Sequence, residues 1–186
     1  MSYLFPAVFM TNVLAMTALL IGFGLAGKLE MAADIGIVQG ATLAFFYALS
    51  ANARNLILGQ TSPAQAQAMM IARMVFILPV AGVTFWLSTR LSGIDSYLAI
   101  VLILRRCVEW LGEVHLSEME RIGSRKLAQN YFLSQSLLLI VALAWSLWDM
   151  PFPLLGLFLW ALLPLLFSLR FIHNTLLVPL PALQGV

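Results

Sequence analysis

The chain has 186 residues, 62% of them hydrophobic and 10% charged, with a mean hydropathy of +0.97. Soluble domains carry about 25% charged residues, so the composition excludes both a water-soluble globular enzyme and a disordered chain. Ten basic and eight acidic residues leave a formal charge of +2, too small and too dispersed for a nucleic-acid surface, and the one cysteine, Cys107, has no partner for an intramolecular disulfide.

A membrane-spanning helix needs roughly 20 apolar residues, so the length holds about six. Charge clusters and turn residues set their limits. Span one runs from Tyr3 to Gly27 and stops at Lys28 and Glu30. It is too long for a signal-peptide core and lacks a basic start, which reads as a retained span. Span two runs from Asp34 to Leu58, before Gly59-Gln60-Thr61-Ser62-Pro63. Span three covers Ala66 to Ser88 and span four Asp95 to Leu116, and a charged exit follows from Glu118 to Lys126. Span five runs from Leu127 to Trp148, turned by Asp149-Met150-Pro151-Phe152-Pro153, and span six from Leu154 to Ile172. Runs of this length without ten-residue alternation predict helices rather than barrel strands. The expectation is an all-α, polytopic membrane protein: one bundle of about six transmembrane helices over residues 1–175 and a short cytoplasmic tail over 176–186.

Basic residues predict the orientation. With a cytoplasmic N-terminus, Arg54, Arg73, Arg121, Arg125, Lys126 and Arg170 lie on the inner side and Lys28 and Arg90 on the outer. That bias follows the positive-inside rule and predicts both termini in the cytoplasm. Pro6, Pro79 and Pro164 fall within or near the ends of spans, where neighbouring groups allow a kink.

Several motifs fail on context. Gly22-Phe23-Gly24-Leu25-Ala26-Gly27 matches G-x-G-x-x-G, but it ends an apolar span instead of linking a strand to a helix. Ala18, Gly22 and Ala26, four apart, read instead as a small-residue packing ridge. His115 has Glu118 at helical spacing but no further ligand, and His173 lies past the end of span six. No nucleophile elbow, H-E-x-x-H or phosphate loop occurs. No catalytic group, metal or cofactor is expected, and the chain reads as a non-enzyme.

Span four carries the informative pattern. Arg105, Arg106, Glu109 and Glu113 sit inside it, and each charge at the bilayer centre costs about 2.5–3.5 kcal/mol on the insertion scale. At about 100° per residue, these four share an arc of about 120° with Asp95, Ser117 and Glu120. Glu109 is four residues from Arg105 and three from Arg106, so both pairs can form along the helix. Span two offers a second strip, Gln39, Tyr47, Ser50 and Arg54, with Asn52 and Asn55 near its end. Span three adds Arg73, and span five adds Asn130, Ser134 and Gln135. Three uses fit the stripe. Its pairs hold the bundle together, its arginines receive an anionic phosphate headgroup in a hydrated cavity, or Glu109 and Glu113 relay protons.

Ala53-Arg54-Asn55-Leu56-Ile57-Leu58, Ala72-Arg73-Met74, Glu109-Trp110-Leu111-Gly112-Glu113-Val114-His115-Leu116 and Leu127-Ala128-Gln129-Asn130 together resemble the N-terminal six-helix lobe of the polysaccharide flippases. These are the O-antigen and lipid-linked oligosaccharide exporters of the multidrug/oligosaccharidyl-lipid/polysaccharide superfamily. The resemblance implies alternating access and a polyprenyl-diphosphate-linked saccharide as cargo in the inner (plasma) membrane. It matches Arg54, Arg73 and Arg105 to cavity cations and Glu109 and Glu113 to carboxylates that pair with or gate them. Arg106 from the charged stripe, and Asn52 and Gln39 from span two, join them as candidate substrate contacts. Family members carry about twelve to fourteen helices, so a homodimer or a second membrane subunit is implied. The alternative is a non-catalytic membrane scaffold subunit of an envelope-polysaccharide or other membrane complex.

Overall fold

Local signals in the sequence set most helix ends. α1 (Leu4–Leu25) stops at Gly27, whose φ of 77° lets the Lys28 N–H donate back to the Phe23 carbonyl at 2.9 Å. α2 (Leu29–Ala48) and α3 (Ala53–Leu58) are separated at Asn52, which holds φ 53° and ψ 36°. α4 (Ala64–Trp86) runs through Pro79 and widens into a π turn over Leu87–Leu91. Asp95 caps α5 (Ser96–Arg121) by accepting from the Leu98 N–H at 2.9 Å. Gly123, at φ 74°, ends it and lets the Ser124 N–H reach the Met119 carbonyl. α6 (Arg125–Leu147), α7 (Leu154–Leu162) and α8 (Leu165–Leu176) follow, with Pro164 opening α8.

The computed structural model describes residues 4–50, 52–148, 152 and 154–177, with side chains from Leu14 onward except those of residues 125, 128, 129 and 132. Among these the chain is all-helical. The tail over 178–186 and the turn residues Asp149, Met150, Pro151 and Pro153 lie outside them.

Contacts fix the direction of each segment. Phe46 meets Trp110, Ser50 meets Glu113 and Arg54 meets Glu120, so α2 and α3 run parallel to α5. Arg121 binds the Thr61 carbonyl while Arg73 binds Glu113, so α4 runs against α5. Arg105 lies over Trp160 and His115 bonds Ser168, which sets α7 and α8 parallel to α5. Gly22 packs on Leu143 and Lys28 donates to the Ser146 carbonyl, aligning α1 with α6. Helical segments therefore alternate up and down in chain order.

Helix α5 is the post of the bundle. It touches every other helix, and from Leu98 to Glu118 most of its side chains are buried. The larger apolar core, including Leu19, Phe23, Ile35, Val38, Leu102, Leu157 and Trp160, fills the half near the start of α5. A smaller one, Ala53, Ile57, Ala66, Met70, Leu111 and Val114, lies near its end.

Three stretches are long and apolar enough to cross a membrane: Leu29–Leu58, Ala64–Leu91 and Leu154–Leu176. Leu14–Leu25 and Leu133–Leu147 are shorter apolar stretches. The sequence reading gave α5 the same status as these. Its four mid-helix charges make it too polar by composition, and protein surrounds it instead. Two further expectations need correction. Span two is a broken helix, not a continuous one, because Asn52 adopts a left-handed conformation. Span six breaks at Leu163-Pro164, since proline lacks the N–H a continuing helix needs. The ridge of Ala18, Gly22 and Ala26 closes on α6 at Gly22, whereas Ala26 lies past the helix end and is exposed.

Candidate functional site: a ladder of ion pairs on α5

The charged stripe forms a ladder that starts near the middle of α5 and continues to its C-terminal end. At the first rung Glu109 receives two guanidinium groups, Arg105 at 2.8 Å and Arg106 at 3.0 Å. Both spacings were legible in the sequence. Arg105 is 1% exposed. It also donates to the Trp160 carbonyl at 3.3 Å and lies 4.4 Å from that indole ring. Arg106 is the more open of the two.

The second rung joins α4, α5 and the linker that follows α2. Arg73 of α4 donates to Glu113 at 2.9 Å, to the Ser50 hydroxyl at 3.1 Å and to the Ser50 carbonyl at 3.3 Å. It also donates to the Trp110 carbonyl and packs over the Trp110 ring. The Ser50 hydroxyl in turn donates to Glu113 at 3.3 Å. The rungs beyond are bidentate. Arg54 grips Glu120 at 3.0 and 2.8 Å, and Arg121 grips Glu118 at 2.7 and 2.6 Å. Chiefly through those hydrogen bonds, Glu118 raises the Arg121 pKa above its ordinary value.

Six of the eight candidate residues, Arg54, Arg73, Arg105, Arg106, Glu109 and Glu113, belong to this ladder. Gln39 and Asn52 do not. Asn52 is exposed and its side chain accepts from Asn55 at 3.0 Å, while Gln39 is engaged through its backbone carbonyl by Thr42. The strip counted along span two assumed one unbroken helix. The break before α3 rotates Arg54 onto α5 and leaves Tyr47 exposed. On α6, Asn130 is exposed and Ser134 bonds the Tyr131 carbonyl, whereas Gln135 is buried.

Sequence reasoning missed the aromatic partners. Trp110 and Trp160 supply ring faces and backbone carbonyls to two arginines, and Tyr131 abuts Gly112. Of these only Trp110, next to Glu109, adjoins the charged run in the sequence. Among the described residues, no group of three or more His, Cys, Asp or Glu side chains is placed to hold a metal.

The ladder can do two things chemically. It neutralises charge inside an apolar bundle, and it offers cations whose bonds to carboxylates can be exchanged for bonds to another anion. The chain matches no family model, no curated protein and no solved structure.

Proposed function

We propose that the chain is one lobe of a flippase-like membrane transporter. Its six alternating segments cross the inner (plasma) membrane with both termini cytoplasmic. Its cargo is a polyprenyl-diphosphate-linked saccharide, and a homodimer or a second membrane subunit supplies the facing wall. The ladder's one-sidedness carries this reading. Polar side chains run from mid-depth to a single end, where Arg54 and Glu113 are each about one-third open, with side-chain exposures of 31% and 28%. The other half is closed by the larger apolar core. A lobe accessible from one face has this form, and the open end is the one rich in basic residues, cytoplasmic by the positive-inside rule. Rocking of the lobe would exchange ion-pair partners rather than expose bare charge. Arg54→Ala and Arg106→Ala, which leave Arg73 and Arg105 in place, test the reading in cells producing the full chain. Membrane insertion stays at the wild-type level and delivery of the lipid-linked saccharide to the outer leaflet falls at least tenfold. Delivery at the wild-type rate in both variants overturns it.

A second reading, a scaffold subunit, is favoured by the charge matching. Glu109, Glu113, Glu118 and Glu120 each have an arginine partner, as a purely structural interior requires. Mild extraction from native membrane distinguishes the two. A scaffold brings other membrane subunits with it, and a transporter lobe is recovered as a homodimer or with one matching lobe.

A further inference from the structure

At the end of the bundle where the ladder opens, the described acidic side chains are all taken. Glu113 holds Arg73, Glu118 holds Arg121 and Glu120 holds Arg54. Lys126, at the start of α6, and Arg170, on α8, are exposed, and neither has a hydrogen bond or ion pair among the described residues. Arg125 adds a third cation beside Lys126 in the sequence. α6 and α8 run in opposite directions, and Tyr131 of one meets Phe167 of the other edge-on at 5.7 Å. Lys126 precedes Tyr131 and Arg170 follows Phe167 by about one turn, so both stand on the same side of that contact. The surplus charge of this end is thus gathered on two neighbouring helices.

Further from that end the same helix faces are apolar. Leu166 lies about one turn from Arg170, and Leu133 and Leu137 lie about two and three turns from Lys126, all of them exposed. Asn130, also exposed, falls between Lys126 and those two leucines. Cation, amide and hydrocarbon then follow the order of a phospholipid: phosphate, glycerol ester and acyl chain. A soluble acidic partner would match the cations and leave the leucines idle. A zwitterionic lipid brings its own cation and gains little from the surplus. We propose that the outer face along α6 and α8 binds an anionic phospholipid of the cytoplasmic leaflet. Its phosphate is held by Lys126 and Arg170, and its acyl chains lie on the exposed leucines. The proposal rests on the chain crossing a membrane with this end cytoplasmic. It does not rest on transport, because neither cation belongs to the ladder.

The test is lipid titration of the purified full chain in a neutral detergent at low ionic strength, read by thermal unfolding and by native mass spectrometry. Phosphatidylglycerol raises the unfolding midpoint saturably and stays bound when the detergent is stripped, whereas phosphatidylcholine does neither. Lys126→Gln combined with Arg170→Gln weakens phosphatidylglycerol binding about tenfold or more. Both side chains are exposed, so the double variant unfolds like wild type without lipid. Arg90→Gln, beyond screening range at the opposite end, leaves the affinity as it was. Equal shifts from the two lipids overturn the proposal. Affinity unchanged in the double variant, or reduced as much by Arg90→Gln, overturns it too. So does a shift of the same size from glycerol 3-phosphate, which would mean that the leucines take no part. Lipid binding is read without saccharide delivery, so this failure and that of the transport reading are told apart.

Discussion

Arg73 reaches from α4 to Glu113 of α5 at 2.9 Å while its own side chain is 2% exposed. Its two terminal nitrogens also reach Ser50 and the Trp110 carbonyl, so one guanidinium fastens α4, α5 and the linker after α2 together. This rung and the Arg105–Glu109–Arg106 rung lie deeper than the others. They are where losing one partner strands a charge.

Removing one member of a buried pair typically costs 3–5 kcal/mol. Glu113 is partly open to water, so Arg73→Met should cost about 3 kcal/mol, the lower end of that range. Arg73→Met combined with Glu113→Gln should be less damaging than Arg73→Met alone, because no carboxylate is then left unmatched. Thermal unfolding of Arg73→Met, Glu113→Gln and the double variant in detergent checks this. A double variant as unstable as the sum of the two single ones would show that the groups do not interact.

The Arg54–Glu120 rung should behave differently. Its geometry is bidentate, but Arg54 is 31% exposed in its side chain, and water screens such pairs to about 0–1 kcal/mol. Arg54→Ala should therefore lower stability by less than about 1 kcal/mol, and 0.5 M salt should shrink the difference. The charge-reversed pair Arg54→Glu with Glu120→Arg should recover what either change alone loses. Unfolding midpoints at low and high salt measure all three.

These two rungs also mark how far the sequence could be read. Glu109 could be paired with Arg105 and Arg106 from spacing alone, because three and four residues are neighbours on any helix. Arg73 with Glu113 and Arg54 with Glu120 could not be paired that way, since the register between two helices is set by packing rather than by a count along either one. The polar strip of span two failed for a local reason. A uniform turn per residue holds only while the helix continues, and Asn52 stops it. Trp110 and Trp160 escaped notice because a backbone carbonyl and a ring face have no charge signature. The all-helical character needed only composition and run length.

Asn52 makes the break itself testable. A left-handed conformation costs an ordinary L-residue roughly 1–2 kcal/mol, and asparagine and glycine are the residues that adopt it routinely. Asn52 holds φ 53° and ψ 36°. Asn52→Gly should be near neutral, losing only the exposed hydrogen bond with Asn55. Asn52→Val should cost about 1–2 kcal/mol and should weaken the grip of α3 on α5. Limited proteolysis between Ser50 and Gly59 reports the second effect. Equal cleavage rates in wild type and Asn52→Val would contradict it.

The closest approach on α5 yields the sharpest test of the buried face. A Cβ added at Gly112 would stand 2.9 Å from the Tyr131 hydroxyl oxygen and 3.6 Å from the ring carbon that carries it. Only the hydroxyl is in the way. Its ring has little room to yield, because it is buried and meets Phe167 edge-on at 5.7 Å. Overpacking of this kind costs about 1–3 kcal/mol, and exchanging glycine for alanine within a helix returns at most about 1 kcal/mol. Gly112→Ala should therefore destabilise the bundle. Adding Tyr131→Phe removes the obstructing oxygen and leaves an ordinary contact, so the double variant should be more stable than Gly112→Ala alone. Unfolding midpoints of wild type, both single variants and the double variant form the complete cycle. A double variant no better than Gly112→Ala would mean that α6 does not bring Tyr131 against α5 at this level.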